Sequence, residues 1–204
     1  LSQMQNRLLH VEHIELLSGI HQAVQQALPA IGTPFYVRYS SLSAQRPAPT
    51  KWTYAYEQFG FPFVGALSRI HRLTHLFGPV ATVSCQAQYW QGVTPEFFAA
   101  CLCTAQLRFM NGLVADLVYG KGETIWQSSR VLEIQAEHGG IIVDGEQGKL
   151  ILADQIQPLE MGSRRGLFAK DTAMVLDHLT TGAPLYVSLA DSPVSYTHLR
   201  GHET

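Results

Sequence analysis

Apolar residues between 60 and 88 recur in two rhythms, first that of a helix and then that of a strand. Ala66, Ile70, Leu73 and Phe77 follow 4-3-4 spacing and share one helical face, which is assigned to the core. Pro62 is tolerated only near a helix start and Gly78-Pro79 is a strong stop, so the helix is bounded at both ends. Val64, Ser68, His71 and His75 repeat the same spacing about half a turn away. Two imidazoles therefore stand one turn apart on a face that is not the main core face.

The same reading extends along the chain. Residues 8–28 form an amphipathic helix with a stripe of Ile14, Leu17, Ile20/His21, Val24 and Leu28, and Ser18-Gly19 is the point at which it is expected to kink or divide. Residues 29–34 are read as a turn and 35–42 as a strand, with Tyr36, Arg38 and Ser40 opposite Phe35, Val37 and Tyr39. Further strands are expected at 80–88, 101–110, 113–119, 129–136, 140–144, 149–152 and 185–189. Asn111-Gly112 between alternating runs is the strongest short hairpin signal. Residues 168–179 are expected to be a helix with Thr172, Val175/Leu176 and Leu179 inward, stopped at Gly182. Runs of strands bounded by helices imply an α+β fold, a large mostly antiparallel sheet with helices packed on one face. Something else, a partner subunit above all, would then cover the other face.

Residues 43–60 are a long, Pro-rich connection carrying Lys51, Trp52, Tyr54, Tyr56 and Phe59. Connections of this length are usually functional or disordered, and the aromatic content argues for an ordered loop. It packs either over a ligand or over its own domain.

The 204 residues are 46% hydrophobic and 15% charged, with a net charge of −2, so the chain can bury a sizeable core and offers no basic footprint for nucleic acid. No apolar run reaches the ~18 residues of a membrane span. The cysteines, Cys85, Cys101 and Cys103, are read as reduced, buried thiols of a cytoplasmic protein. Residues 194–204 follow the last strand without periodicity and are expected to be a non-native tail resembling translated sequencing adapter.

The order of these elements resembles the C-terminal domain of the Gfo/Idh/MocA family of nicotinamide-dependent oxidoreductases. IGTPFYVRYSS is similar to that family's turn into the first sheet strand, and KWTYAYEQFGFPFVGAL to its Trp-containing loop entering a Gly-rich helix start. HRLTHLFGPVATVSCQA resembles its helix end and strand, LRFMNGLVADLVYG its "F-x-N-G-x-x-A" hairpin, VLEIQAEHGGIIVDG the next strand pair and AKDTAMVLDHLTTGAPLYVS the late helix and strand. The resemblance implies that 1–33 is a helix and turn left from the junction with an N-terminal Rossmann domain. Residues 34–193 would then be the substrate and oligomerisation domain. NAD or NADP would be bound mainly by the other domain, since the chain contains no G-x-G-x-x-G turn.

In that family the helix at 64–77 carries an Asp and a His four residues apart. Anchored on Gly78, those positions fall on Val64 and Ser68, so neither residue is retained. His71 and His75 follow on the same face and are the catalytic candidates, since imidazole titrates near neutrality and can move a proton at a carbinol. The plainer alternative makes both structural polar contacts. The His pair has no evident third ligand, and no metal is expected. Ser68, Lys51, Tyr54 and Arg38 are candidate substrate contacts, while Arg69 and Arg72 are expected to face solvent or pair with acids. The implied function is hydride transfer between nicotinamide and a sugar, cyclitol or related polyol, in a homodimer or homotetramer formed through the sheet. The alternative is a non-catalytic ligand-sensing or dimerisation module.

Overall fold

The computed structural model describes residues 8–163 and 165–187. Eight strands form one sheet: β1 (Pro34–Ala44), β2 (Val80–Gln91), β3 (Phe98–Phe109), β4 (Val114–Gly122), β5 (Ser129–Ala136), β6 (Gly139–Asp144), β7 (Gln147–Leu152) and β8 (Gln155–Pro158). Their order across the sheet is β2-β3-β4-β1-β5-β6-β7-β8. Every pairing is antiparallel except that of β1 with β4. The helices are α1 (Gly19–Ile31), the short α2 (Tyr56–Phe59), α3 (Leu67–Phe77) and α4 (Leu167–Thr181).

The strict alternation of the strands decides which sheet face meets the helices. Val37, Tyr39, Leu107, Ala115, Leu117 and Ile134 turn inward and share one core with Val24 and Ile31 of α1 and Ile70 and Leu73 of α3. Full burial of such a side chain contributes about 1.5–3 kcal/mol. The alternate positions form the opposite face, where Arg38 pairs with Glu133 at 2.7 Å and Tyr36 donates to Asp116 at 2.9 Å. On β3, Cys103, Ala105, Leu107 and Phe109 are buried while Thr104, Gln106 and Arg108 are exposed, as the alternation predicts. Cys101 and Cys103 are buried as expected, whereas Cys85 is only half-buried.

The expected first helix is divided where Ser18-Gly19 predicts. A 3-10 turn at Ile14–Leu17 ends at Ser18, whose side chain then accepts from the His21 backbone N–H and caps α1. Gly19 is required there, because a Cβ would come within 2.4 Å of the Gly162 backbone. Residues 8–13 are not helical. The turn expected from residue 29 starts later, since α1 runs through Pro29 to Ile31. Ile31, at the end of α1, is fully buried.

Two further expectations fail. In α4 the inward side is Leu167 and Asp171, while Thr172, Leu176 and Leu179 are exposed. The buried Asp171 carboxylate needs partners and finds Tyr186 Oη at 2.5 Å and His10 Nε2 at 2.9 Å, which turns the helix by that residue rather than by its leucines. Residues 185–187 are not a strand, and 188–189, like the tail expected at 194–204, lie outside the described residues. Strand β8 has no counterpart among the expected strands, because it is short and every residue in it is exposed.

Candidate functional site

The parallel strands β1 and β4 end together, with Ala44 opposite Gly122. Beside their carboxyl ends lies a cleft of about 790 Å³. Its floor is the ends of β1 and β4, including Ser41, Tyr119 and Lys121. One wall is the loop segment from Lys51 to Tyr54, with Phe59. Another wall is Val64 and Gly65 of the 3-10 turn Pro62–Ala66 with Arg69 in the first turn of α3, and Arg130 and Glu146 complete the charged lining.

Charge in the cleft is one-sided: Lys51, Arg69, Lys121 and Arg130 face a single acid, Glu146. Arg69 Nη1 donates to the Gly65 carbonyl at 2.8 Å, while its Nε is buried without a partner among the described residues. That orphaned donor costs stability unless a bound acceptor takes it. Gly65 is open for a reason: a Cβ there would lie 2.2 Å from Tyr119 Oη, so only glycine lets the phenol reach the cleft wall.

Lys121 is a lysine on the core-facing side of β4, only 7% exposed. It donates to the Thr53 carbonyl. Its ammonium lies 3.4 Å from the Phe59 ring centroid, 4.6 Å from Tyr54 and 5.3 Å from Phe98. Burial lowers its pKa to about 8. Burial also raises Tyr54 and Tyr119 to about 12, so both phenols stay protonated donors at neutral pH.

Of the residues singled out from the sequence, Lys51 and Tyr54 line this cleft. Arg38 lies on the opposite sheet face, paired with Glu133. Ser68, His71 and His75 sit on α3 but are not among the lining residues. His71 and His75 lie on the side of the helix away from Arg69: His71 stacks on His13 and His75 bonds His21 at 3.1 Å. Arg72, expected to be solvated or paired with an acid, is paired and buried, its Nη2 lying 2.5 Å from Glu15 Oε2. The sequence reading passes over Tyr119, Lys121 and Arg130 and leaves Arg69 as a solvent or ion-pair residue. A signal for one of them exists, since the inward alternation Ala115, Leu117, Tyr119 puts Lys121 where an apolar residue belongs.

Among the described residues no three His, Cys, Asp or Glu side chains gather as metal ligands. A dinucleotide does not fit this chain alone. Among the described residues β1 and β4 are the only parallel pair, joined through α2, α3, β2 and β3 rather than by one crossover helix, and no Gly-rich phosphate turn opens a helix between them.

Residues 29–192 match the family model described as "Oxidoreductase family, C-terminal alpha/beta domain". No curated protein matches the chain. The chain is similar to biliverdin reductase from Synechocystis sp. PCC 6803, solved in complex with biliverdin and NADP+. The two are 50% identical with a TM-score of 0.94, over 97% of this chain and 63% of that one. It also shares its fold with UDP-N-acetylglucosamine 3-dehydrogenase from Acidithiobacillus ferrooxidans, at 17% identity and TM-score 0.68 over 96% of this chain and 60% of that one. An oxidoreductase from Agrobacterium radiobacter, solved with NAD+, L-tartaric acid and magnesium, is 16% identical with TM-score 0.71, over 97% and 62%. The chain thus spans less than two thirds of each of these proteins.

Proposed function

The chain belongs to the Gfo/Idh/MocA oxidoreductase family through its C-terminal α/β domain, and we propose that it is the substrate-binding part of a longer NAD(P)-dependent reductase acting on a linear tetrapyrrole of the biliverdin kind. The observation that carries this reading is the cleft, where Lys51, Arg69 and Arg130 stand against one acid, Glu146, and Trp52, Tyr54, Phe59 and Tyr119 are among the lining residues. A linear tetrapyrrole is a flat conjugated dianion with two propionate carboxylates. Cations answer the carboxylates, and aromatic faces answer the rings. The 50% identity with a biliverdin reductase supports the same substrate class.

In this reading Arg69, Arg130 and Lys51 hold the carboxylates, and Trp52, Tyr54 and Tyr119 flank the ring system. When bound, the nicotinamide supplies a hydride. It is held by the part of the longer protein that lies outside this chain. His71, His75, Ser68 and Arg38 take structural roles, which replaces the proton chemistry that the sequence alone suggested for the His pair. A neutral sugar or polyol, the substrate class implied by the family resemblance, would be served by paired hydrogen-bonding groups rather than by a surplus of cations. The polar outer face of the sheet is the surface assigned to a homodimer or homotetramer, and the buried Cys101 and Cys103 thiols accord with a reducing, cytoplasmic setting.

The test is reduction by the full-length protein with NADPH or NADH, with biliverdin, UDP-N-acetylglucosamine and a neutral polyol offered in turn. Biliverdin turnover is expected, and Arg69→Met should raise its KM about tenfold or more, the effect of losing one hydrogen bond to a charged group. Turnover of a polyol but not biliverdin would overturn the substrate class. Binding of biliverdin and NADPH without turnover would favour the non-catalytic module, the reading that the absence of Asp and His at Val64 and Ser68 supports.

A further inference from the structure

We infer that Lys121 is a positioning residue, which holds the segment 51–54 in place as the aromatic wall of the cleft by tying the middle of that loop to the sheet.

The loop is fastened at both ends by other groups. At its start Arg46 donates to the carbonyls of Glu123 at 2.8 Å and Ile125 at 2.5 Å, and Ala48 N–H donates to the Glu123 carboxylate at 2.8 Å. At its end Ala55 bridges to Phe97, Tyr56 N–H donates to Glu96 O at 3.1 Å and Tyr89 Oη donates to Gly60 O at 2.7 Å. Between these points the backbone hydrogen bonds are local, from Lys51 N–H to Pro49 O and from Tyr54 N–H to Lys51 O. The Lys121 ammonium reaches across this gap to the Thr53 carbonyl.

Thr53 lies between Trp52 and Tyr54, and all three line the cleft with Lys51. Trp52 is 61% exposed, so little other than its backbone neighbours fixes it. The Phe59, Tyr54 and Phe98 rings surround the ammonium and take the place of water around it, which a cation tolerates because each ring face is electronegative. A lysine suits this position because its slender stem passes from the strand through the aromatic layer, and its head carries donors that can turn to the carbonyl. The groups facing it are the Cys101 thiol of β3 and Lys51 and Tyr54 of the loop, and it meets no carboxylate ion pair among the described residues. The lysine is thus spent on a neutral carbonyl and on rings, an arrangement that shapes a wall rather than balancing a charge.

The inference rests on the cleft being the substrate site, and the test separates the two. In the full-length protein, amide hydrogen exchange and biliverdin kinetics are compared for wild type, Lys121→Met and Lys121→Arg. Exchange in 51–56 should quicken about tenfold in Lys121→Met while α1 and β5 keep their protection. KM for biliverdin should rise about tenfold with kcat within twofold, and Lys121→Arg should recover part of both. Unchanged exchange in 51–56, uniform loosening of the whole domain, or faster exchange with unchanged KM would each overturn the inference. If Lys121→Met does not fold, Phe59→Leu reads the same segment: loosening confined to 51–56 supports the inference, and its absence overturns it. Failure of wild type to use biliverdin would sink the substrate reading and leave the exchange result standing.

Discussion

The His71 imidazole stacks on that of His13, ring centroids 3.7 Å apart and planes 17° from parallel, on the side of α3 away from Arg69. One helix therefore serves two purposes. One side carries a cleft wall, and the other binds the N-terminal segment through His71, Arg72 and His75.

If His71 serves packing, truncating it should cost stability and spare the cleft. His71→Ala should lower stability by about 2 kcal/mol, roughly 4–8 °C in Tm for a chain of this size, and biliverdin KM should stay within twofold. Thermal melts and steady-state kinetics on the same preparation check this. A large fall in kcat at unchanged Tm would return His71 to the chemistry.

Arg72 is 1% exposed; its Nη1 donates to Tyr39 Oη at 2.9 Å and its Nη2 to Glu15 and to Ser18 Oγ at 3.0 Å, while its buried Nε has no partner among the described residues. Removing only its acid leaves a buried charge unpaired. Glu15→Ala should destabilise by about 3–5 kcal/mol, and the double variant Glu15→Leu/Arg72→Met by less than that single change. Urea titrations give both numbers, and a double variant worse than Glu15→Ala would contradict the account.

Burial, then the Arg72 charge, lowers the His21 pKa to about 4. Its unfolded value is near 6.5, so between pH 6.5 and 4 the unfolded chain binds a proton that the folded chain refuses. Stability from this group is complete above pH 6.5 and is lost as pH falls towards 4. His21→Gln should show a smaller drop in urea midpoint between pH 7 and pH 4.5 than wild type does. An equal drop in both would mean that other groups set the acid limit.

Gly65 and Tyr119 should be coupled. Gly65→Ala forces its methyl onto the phenol and should cost about 1–3 kcal/mol while shrinking the cleft. In Gly65→Ala/Tyr119→Ala the clash is gone, so the double variant should be more stable than the sum of the single effects predicts. Additive losses would show that the two residues do not meet.

Much of the scaffold is legible in the sequence because it is written locally. Asn111-Gly112 marks the β3–β4 hairpin through turn chemistry, and Gly112 does adopt φ 89°. Ala66, Ile70, Leu73 and Phe77 are all buried, as their 4-3-4 spacing requires. Helix α4 escapes such a reading because spacing counts apolar side chains and gives no weight to Asp171, whose buried carboxylate orients the helix through Tyr186 and His10. The His pair stands out for a sound chemical reason, yet periodicity states only that 71 and 75 share a face, and not what covers it.

By itself the sequence determined most of the elements and the sheet alternation, because capping, turns and a two-residue period act between near neighbours, and the order of its motifs carried the family resemblance. Tertiary structure alone decided the cleft, which gathers Ser41, Lys51, Arg69, Lys121, Arg130 and Glu146 from separate segments. Their charges carry no shared local pattern. They meet because β1 and β4 lie parallel and end together, a pairing between residues some 78 positions apart, such as Tyr36 and Val114, that no local spacing encodes.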